Sequence, residues 1–263
     1  MQTKRDSVEV VDPRSSVQLA EEWDKIGPHR DALIASGRDL SYRHILLPSL
    51  LELLSESLTG GHCILDVGCG TGTFISELAT NYPNINFTGI DPSTVSIKTA
   101  MDRRQARPNC EFKVMSVEDL GSTLKEPFYF DAIIANMLFQ NVANLSDVLK
   151  SCGSLLKPTG ILVFAVSHPC FWPRYWGYDE EPWFEYDKEI WIDAPFKTSL
   201  SPRTHLRATH VHRPLHAYIN GLHTAGFLID RMAEPMPDDG VEGAYPVAWE
   251  FPRFLIGRAN RTD

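Results

Sequence analysis

The sequence predicts an α/β fold in which helices cover both faces of a mostly parallel sheet, the doubly wound arrangement. Between residues 63 and 166, short apolar runs suited to buried strands alternate with segments whose apolar residues recur at helical spacing. Alternating strands and helices are typical of parallel sheets. A glycine-rich turn follows the first of these strands, and polar residues follow the later ones. Ligands of such sheets bind at the carboxyl ends of the strands, so these residues are expected to face one crevice.

The hydrophobic pattern places the individual elements. We expect strands over 63–67, 85–90, 110–115, 129–135 and 160–166, and helices near 73–81, 93–106 and 144–157. A final block adds a helix over 214–227 and strands over 228–232 and 253–258. Residues 1–18 are polar and are expected to fray. Two helices, beginning near residue 21 and near residue 40, precede the sheet and are expected to lie over its ligand-binding edge.

Composition and charge narrow the class of protein. A chain of 263 residues, 43% hydrophobic and 22% charged, can bury one sizeable core. The net charge is −9 and no basic stripe is visible, so a nucleic-acid partner is not expected. The five cysteines include no C-x-x-C pair, which argues against a zinc site or a disulfide framework. No apolar run reaches membrane-spanning length, so we expect no membrane partner and a cytoplasmic location.

The glycine-rich turn lies within the stretch CILDVGCGTGTF, residues 63–74, with glycines at every second position. Glycine is needed where φ is positive or where a ligand lies against the main chain. The turn therefore suits a ligand held by backbone N–H groups at a helix start, although isolated glycines also merely punctuate such turns. The next strand ends at Asp91, 25 residues after Asp66. An acid at that place is suited to binding ribose hydroxyls.

These residues resemble the class I S-adenosylmethionine (SAM)-dependent methyltransferases. The sequence LDVGCGTG followed by GIDPS matches the first two motifs of that family, while FDAIIANMLFQNV and LLKPTGIL resemble later ones. The resemblance covers roughly residues 40–166 and, more loosely, 206–258. It implies a Rossmann-like, seven-stranded sheet whose last strand is antiparallel. It also implies SAM as cofactor and transfer of its methyl group to an O, N or C nucleophile of a small molecule, giving S-adenosylhomocysteine (SAH).

The resemblance assigns a part of the cofactor to each strand end. The glycine turn would seat the methionine portion through Asp66, Gly68, Cys69, Gly70 and Gly72. Asp91, with Pro92, would bind the ribose. Ser116, Val117 and Glu118 would meet the adenine. Because Ser116 stands where the family usually has an acid, either its hydroxyl or Glu118 would meet the adenine amino group. Asn136 and Met137 would lie near the methyl donor. Asn136 could instead be a turn residue that bonds its own backbone, but its position at a strand end favours proximity to the ligand.

Two residues of the N-terminal helices are further candidates. In related enzymes such helices close over the cofactor. Trp23 is either part of that closure or an ordinary packing anchor. Arg43 either pairs with the SAM carboxylate or is a solvated helix residue.

The segment from residue 168 to residue 212 is too long for a simple loop and too aromatic for a disordered one. It carries ten of the 27 aromatic residues of the chain, namely Phe171, Trp172, Tyr175, Trp176, Tyr178, Trp183, Phe184, Tyr186, Trp191 and Phe196. We therefore expect a folded cap over the strand ends. Some of these rings pack against each other and others wall a substrate pocket. The interleaved acids favour a cationic substrate or form a solvated rim.

Within this cap, His168 directly follows a strand. It could take a proton from the nucleophile, or it could anchor the cap. Phe171, Trp172, Tyr175 and Tyr178 are candidate pocket walls. The resemblance places His212 and Arg213 at the border of the substrate cavity. A metal is not expected, because Pro214 breaks the helical face that the nearby histidines would need.

The chain thus divides into an N-terminal arm with a cap helix (1–39), a SAM-binding core (40–167), a cap that binds substrate (168–212) and a C-terminal completion of the core (213–263). The expected partner is a small molecule, and the formation of a homodimer is left open.

Three functions compete with methyl transfer. A nicotinamide oxidoreductase is disfavoured, since G-x-G-x-G lacks the last glycine or alanine of the dinucleotide fingerprint. A SAM enzyme that releases methylthioadenosine is compatible with the motifs. A non-catalytic SAM-binding protein is disfavoured by the complete set of donor motifs and by the aromatic-rich cap.

Overall fold

The computed structural model describes residues 8–104, 107–123, 129–201 and 204–262. The strands are β1 Glu9–Val10, β2 Cys63–Val67, β3 Asn86–Asp91, β4 Cys110–Val114, β5 Phe130–Asn136, β6 Leu156–Ser167, β7 Ile190–Pro195, β8 Arg207–His212, β9 Phe227–Ala233 and β10 Phe254–Arg261. The helices are α1 Ser16–Ala35, α2 Leu47–Leu54, α3 Thr73–Asn81, α4 Thr94–Arg104, α5 Val117–Thr123, α6 Leu145–Leu155, α7 Trp172–Trp176, α8 Leu215–Thr224 and α9 Asp239–Glu242. No helix in these ranges is long and apolar enough to cross a membrane.

The larger sheet has seven strands in the order β4-β3-β2-β5-β6-β10-β9. Neighbours from β4 to β6 pair in parallel, whereas β10 pairs antiparallel with both β6 and β9. This confirms the predicted seven-stranded, mostly parallel sheet and its antiparallel last strand. Four parallel strands, β2 to β5, therefore end at the same edge.

Apolar side chains cover both faces of this sheet. Ile64 and Ile134 point into a core formed with α2, α3 and α4, while Leu65 and Ile133 point into a second core formed with α5, α6 and α8. Successive strand residues face opposite sides, so a strand buried on both faces is apolar along its whole length. The apolar runs Cys63–Leu65 of β2 and Ala132–Ala135 of β5 have this cause.

The N-terminal region differs from the prediction. The expected fraying is wrong for residues 8–18, since β1 pairs with the cap and α1 begins at a capping box. In that box Ser15 Oγ accepts from the N–H of Gln18, and the Gln18 side chain accepts from the N–H of Ser15. Residues 1–7 lie outside the described ranges. Helix α1 lies over the ligand-binding edge, whereas the second segment reaches it only through the turn that contains Tyr42, because α2 packs its leucines into the core on one sheet face.

The cap contains a second, three-stranded antiparallel sheet in the order β1-β7-β8. Glu9 lies opposite Asp193, and Ile190 lies opposite His212. A small core of its own holds it, centred on the buried side chains of Tyr178, Ile190 and Ile192. The cap is therefore folded, and it is built from both the N-terminal arm and the long insertion.

Candidate active site

The carboxyl ends of β2, β3, β4 and β5 open into a cavity of about 640 Å³, here called the strand-end cavity. Most of the predicted cofactor residues line it, namely Trp23, Asp66, Gly68, Cys69, Gly70, Asp91, Pro92, Ser116, Val117, Glu118, Asn136 and Met137. Segments distant in sequence thus meet around one space. Gly72 and Arg43 are outside this lining.

The glycines of the turn serve different purposes. Gly68, Gly70 and Gly72 all have positive φ, at 70°, 55° and 69°. A Cβ on Gly70 would meet nothing within 4 Å, so the main chain there is open to the cavity. A Cβ on Gly72 would lie 2.5 Å from the Phe112 ring, so Gly72 allows the turn to pack against β4. Gly72 therefore shapes the site without lining it.

Two buried carboxylates stand at the ends of β2 and β3. The N–H groups of Gly70 and Ser93 donate to Asp91 at 2.9 and 2.8 Å. Burial nevertheless raises the pKa of Asp91 to about 6. Burial, and then the charge of Asp91, raise the pKa of Asp66 well above its usual value. Asp66 Oδ1 is buried and has no hydrogen-bond partner among the described residues, so it is available to a ligand's donor.

The end of β5 has an unusual backbone. Met137 adopts φ 57°, the left-handed region that side chains with a Cβ rarely occupy. Its carbonyl accepts from the side-chain amides of Gln140 at 2.6 Å and Asn141 at 2.8 Å, which holds this conformation. The buried Oδ1 of Asn136 finds no partner in the described part of the chain. Strained residues held in this way cluster at ligand-binding sites.

Ser116 is partly committed to the protein itself. Its Oγ accepts from the N–H of Asp119 at 3.1 Å and donates to Asp119 Oδ2 at 2.9 Å. This bonding caps the start of α5. Ser116 and Glu118 are the two candidate partners of adenine at this strand end. The hydroxyl proton of Ser116 is already donated to Asp119, whereas Glu118 lines the same cavity.

Helix α1 covers the strand-end cavity and is tied to it by acidic side chains. Asp24 Oδ1 accepts from Ser93 Oγ at 2.6 Å and from the N–H of Val95 at 3.0 Å. Asp31 accepts from Thr71 Oγ1 at 3.0 Å and pairs with Arg103 at 2.5 Å. These bonds bridge α1 to the loops after β2 and β3. The sequence analysis missed them, although both acids lie on a segment already predicted to be helical.

The two N-terminal candidates have different positions. Trp23 lines the strand-end cavity and packs edge-on against Phe196 of the cap, with ring centroids 6.3 Å apart. Arg43 is exposed, on the π-helical turn Tyr42–Leu46. The arginine that lines the cavity is Arg30, whose Nε lies 3.6 Å from Asp39.

A second cavity of about 160 Å³, here called the cap cavity, adjoins the first beneath the cap. Both cavities are lined by Trp23, Arg30, Met137 and Asn141. Of the predicted substrate residues, Trp172 and Tyr175 line the cap cavity. The two spaces therefore meet at the strained end of β5.

His168 does not line either cavity. Its side chain is 2% exposed, and both ring nitrogens are engaged. Nδ1 accepts from the N–H of Cys170 at 3.1 Å, so Nε2 carries the proton that it donates to Glu234 at 2.6 Å. Of the two roles considered for His168, this geometry is that of a cap anchor.

The other predicted substrate residues also lie outside the cap-cavity lining. Phe171 stacks on Phe251, and Tyr178 is buried in the cap core. His212 Nε2 bonds to a backbone carbonyl at 3.0 Å. Arg213 is 3% exposed, and it donates to the carbonyls of Phe139 and Val142, both at 2.8 Å, from the side opposite its bond to Glu189. Arg213 thus shapes the loop after β5 rather than bordering the cavity.

The polar residues of the cap-cavity lining that were not singled out as site residues from the sequence include Gln140, His210 and Arg253. Each of these three has a buried side-chain atom without a hydrogen-bond partner in the described ranges, Oε1, Nε2 and Nε respectively. Burial, and secondarily His212, lower the pKa of His210 to about 4, so this imidazole is neutral at pH 7. No group of three His, Cys, Asp or Glu side chains in the part of the chain described could hold a metal ion.

Comparison with known proteins agrees with this geometry. A family model described as a methyltransferase domain matches residues 65–162. The chain is 28% identical over 126 residues to malonyl-[acyl-carrier protein] O-methyltransferase of Halalkalibacterium halodurans, covering 48% of this chain and 46% of that protein. It is 33% identical over 170 residues to the mitochondrial ubiquinone biosynthesis O-methyltransferase of Homo sapiens, covering 61% and 43%. The chain thus spans about half the length of the curated relatives that it matches.

Solved structures share the fold over nearly the whole chain. The 1,6-didemethyltoxoflavin-N1-methyltransferase of Burkholderia thailandensis superposes with a TM-score of 0.61 at 14% identity, covering 99% of this chain and 97% of that one. The [4+2]-cyclase SpnF superposes with a TM-score of 0.64 at 18% identity, covering 97% and 99%. The fold is therefore that of the Rossmann-like methyltransferases. The family model covers residues 65–162, and over the rest of the chain the similarity to methyltransferases is one of fold.

Proposed function

We propose that this chain transfers the methyl group of SAM to an O, N or C nucleophile of a small molecule held in the cap cavity. One observation supports this most strongly. The strand-end cavity, which carries the family's cofactor motifs, meets the cap cavity at Met137 and Asn141, below Trp23. A donor in the first space and an acceptor in the second would thus be held side by side, and proximity of this kind can supply much of a rate enhancement.

The strand-end cavity fits the chemistry of SAM. The unpartnered acceptors Asp66 Oδ1 and Asn136 Oδ1 suit the ammonium group of its methionine portion. Asp91, fixed by two backbone N–H groups, presents a carboxylate to ribose hydroxyls. Arg30 is the cation of the lining that would meet the SAM carboxylate, in place of Arg43.

When bound, SAM supplies a methyl group on a sulfonium that is already a good leaving group. The protein's residues then have to orient the acceptor and exclude water. Trp23 and Phe196 close the junction of the two cavities from the cap side. Neutral His210, with its proton on Nδ1, would accept a hydrogen bond from the nucleophile's O–H or N–H through Nε2. His210 would thus orient the nucleophile, which is a different role from the proton acceptor first considered for His168.

Titration calorimetry tests the cofactor assignment. SAM and SAH should bind the full chain, and NADH should not. The reaction is then followed by mass spectrometry of the adenosyl product, with a panel of small phenols, acids and amines as acceptors. SAH formed only with an acceptor present supports methyl transfer. Methylthioadenosine as the product would favour a different SAM reaction, and cofactor binding without any adenosyl product would favour a non-catalytic protein. The similarity of this fold to that of a cyclase is the reason to include these outcomes.

Assembly and location are further parts of the proposal. A homodimer is tested by light scattering coupled to size exclusion, and the cytoplasmic location expected from the sequence by cell fractionation.

A further inference from the structure

The charges around the cap cavity are mainly positive. Its lining includes Arg30, Lys197 and Arg253 but only one carboxylate, Asp39. Asp39 is already engaged, since it accepts from the N–H of Tyr42 at 3.0 Å and lies 3.6 Å from Arg30. The acids that alternate with the cap aromatics belong to its outer surface: Asp179, Glu180, Glu181, Glu185, Asp187 and Glu189 are all exposed, and none of them lines the cavity. The solvated-rim interpretation of these acids therefore fits better than a cation-binding one.

Arg253 is buried without a counter-charge. It is 5% exposed, and no carboxylate of the described residues lies within 4.0 Å of its nitrogens. One terminal nitrogen donates to the carbonyls of Val247 and Ala248, both at 2.9 Å. Its Nε is buried with no partner in the described ranges. A buried, uncompensated charge is costly, so its retention at the edge of a cavity points to an anionic ligand.

Aromatic rings fix the plane of this guanidinium. Its central carbon lies 4.1 Å from the centroid of Tyr175 and 4.3 Å from that of Trp249. One terminal nitrogen is committed to Val247 and Ala248, so Nε and the other terminal nitrogen would donate single hydrogen bonds to a carboxylate or a phosphate. Arg253 is therefore pre-oriented before any ligand arrives.

Aromatic rings form much of the remaining wall. The cavity is lined by the rings of Trp23, Trp172, Tyr175, Trp176, Phe196 and Phe254. Its volume of about 160 Å³ is small for a ligand site. Such a space suits a single planar ring with one substituent directed at Arg253.

From this we infer that the methyl acceptor is a small aromatic acid, whose carboxylate or phosphate pairs with Arg253 while its ring lies between the aromatic walls. This inference rests on the proposed function, because it places the acceptor in the cap cavity. It extends that proposal from any small nucleophile to one chemical class.

The test is titration calorimetry on the full chain saturated with SAH. The probes are 4-hydroxybenzoate and phenyl phosphate as acids, 4-hydroxybenzamide as the neutral counterpart and tyramine as the cation. At least one acid should bind tenfold or more tightly than the amide and tyramine, and comparison of the two acids separates carboxylate from phosphate. Binding of the amide or tyramine as tightly as the acids, or binding of neither acid, would overturn the inference.

Variants assign the preference to Arg253. Arg253→Gln should lose at least tenfold in affinity for the preferred acid, and Arg253→Lys, which keeps the charge, should retain part of it. Arg174→Gln is the matched control, because Arg174 is exposed, lies near Phe251 and pairs with Glu250 outside the cavity. Unchanged acid binding in Arg253→Gln would refute the assignment. If Arg253→Gln does not fold, the comparison of acid with amide in the unmodified chain still decides.

The same experiment separates the two proposals. Failure of SAH to bind the unmodified chain would remove the proposed function. Normal SAH binding without a preference for acids would remove only this inference.

Discussion

At the residue scale, Asp66 and Asp91 lie where a ligand would contact them. In the ligand-free protein, burial disfavours the ionised form of both carboxyl groups. Burial raises both pKa values above those of the unfolded chain. A carboxyl group whose pKa is raised on folding stabilises the fold below its unfolded pKa, and this contribution is lost as the pH rises through the folded pKa. Near pH 7 both residues therefore reduce the stability of the ligand-free protein.

Asp66→Asn should consequently stabilise the ligand-free protein and weaken its binding of SAH. We expect the melting temperature at pH 7.5 to rise, by about 2–4 °C for each kcal/mol gained in a chain of this size. The affinity for SAH should fall by about tenfold or more, because a hydrogen bond to a charged group contributes about 1.5–3 kcal/mol. Differential scanning fluorimetry and calorimetry measure the two effects. A lower melting temperature together with unchanged SAH binding would contradict this account.

Asp91 should make cofactor binding depend on pH. With a pKa of about 6 in the ligand-free protein, this carboxyl group is largely protonated at pH 5 and must ionise to accept hydrogen bonds from ribose hydroxyls. We therefore expect the affinity for SAH to increase from pH 5 to pH 7 and then level off. The titration is best done in the Asp66→Asn background, so that one carboxylate changes charge. Asp91→Asn in that background should bind weakly and show no such slope.

Individual side chains also show how far the sequence could predict the site. Asp66, Asp91 and Asn136 were placed at the cavity because strand ends follow from hydrophobic runs and from the parallel arrangement of the sheet. Arg43 and His168 were also expected at the site, but neither lines a cavity. Arg43 is exposed on a helical turn, and His168 is held by Glu234 and the N–H of Cys170. Arg30 and His210 lie in the cavity linings where Arg43 and His168 were expected. The direction of a side chain on a helix or at a sheet end is decided by packing partners distant in sequence.

At the scale of elements, helix α1 joins the sheet to the cap. Asp24 and Asp31 reach the loops of the larger sheet, whereas Glu22 accepts from the N–H and the hydroxyl of Thr209 in β8, at 2.9 and 3.0 Å. Between these contacts α1 crosses α4 very closely. A Cβ on Gly27 would lie 2.3 Å from Ser96 Oγ but 3.6 Å from Ser96 Cβ. One hydroxyl therefore forbids any side chain at position 27.

Gly27→Ala should lift α1 off the strand-end cavity. We expect a lower melting temperature and a loss of SAH affinity of about tenfold, measured by fluorimetry and calorimetry. The double variant Gly27→Ala/Ser96→Ala should recover both relative to Gly27→Ala, because removal of the hydroxyl leaves room for the methyl group. Equal behaviour of Gly27→Ala with and without Ser96→Ala would show that the contact does not matter.

The elements themselves were predicted unevenly, for a physical reason. Strands β2 to β6 carry their signal locally, as apolar runs broken by turns. Strand β1 consists of two residues and exists only through its pairing with β7, so no local pattern announces it. The cap was correctly expected to fold because of its aromatic content, but its sheet depends on a partner from the opposite end of the chain.

At the scale of the whole molecule, the cap cavity lies between the larger sheet and the cap sheet, and Trp23 and Arg30 of the N-terminal helix help to close it. The bond from Thr209 to Glu22 joins residues 187 positions apart, and Arg14 pairs with Asp193 at 2.9 Å. Closing a loop of this length costs conformational entropy before any contact compensates for it. The strands of the larger sheet, in contrast, pair mostly with strands close in sequence.

The closure of the cap sheet by β1 thus has a consequence for how the chain is made. During synthesis the N-terminal arm leaves the ribosome long before residues 190–212. It therefore stays unpaired while strands β2 to β6 of the larger sheet assemble. In refolding followed by pulsed hydrogen exchange, the amides of β2 and β5 should become protected before those of β7 and β8. Simultaneous protection of all four strands would contradict this order. The cap cavity would then be the last part of the molecule to form. A nascent chain would thus be able to bind the cofactor before it can bind a methyl acceptor.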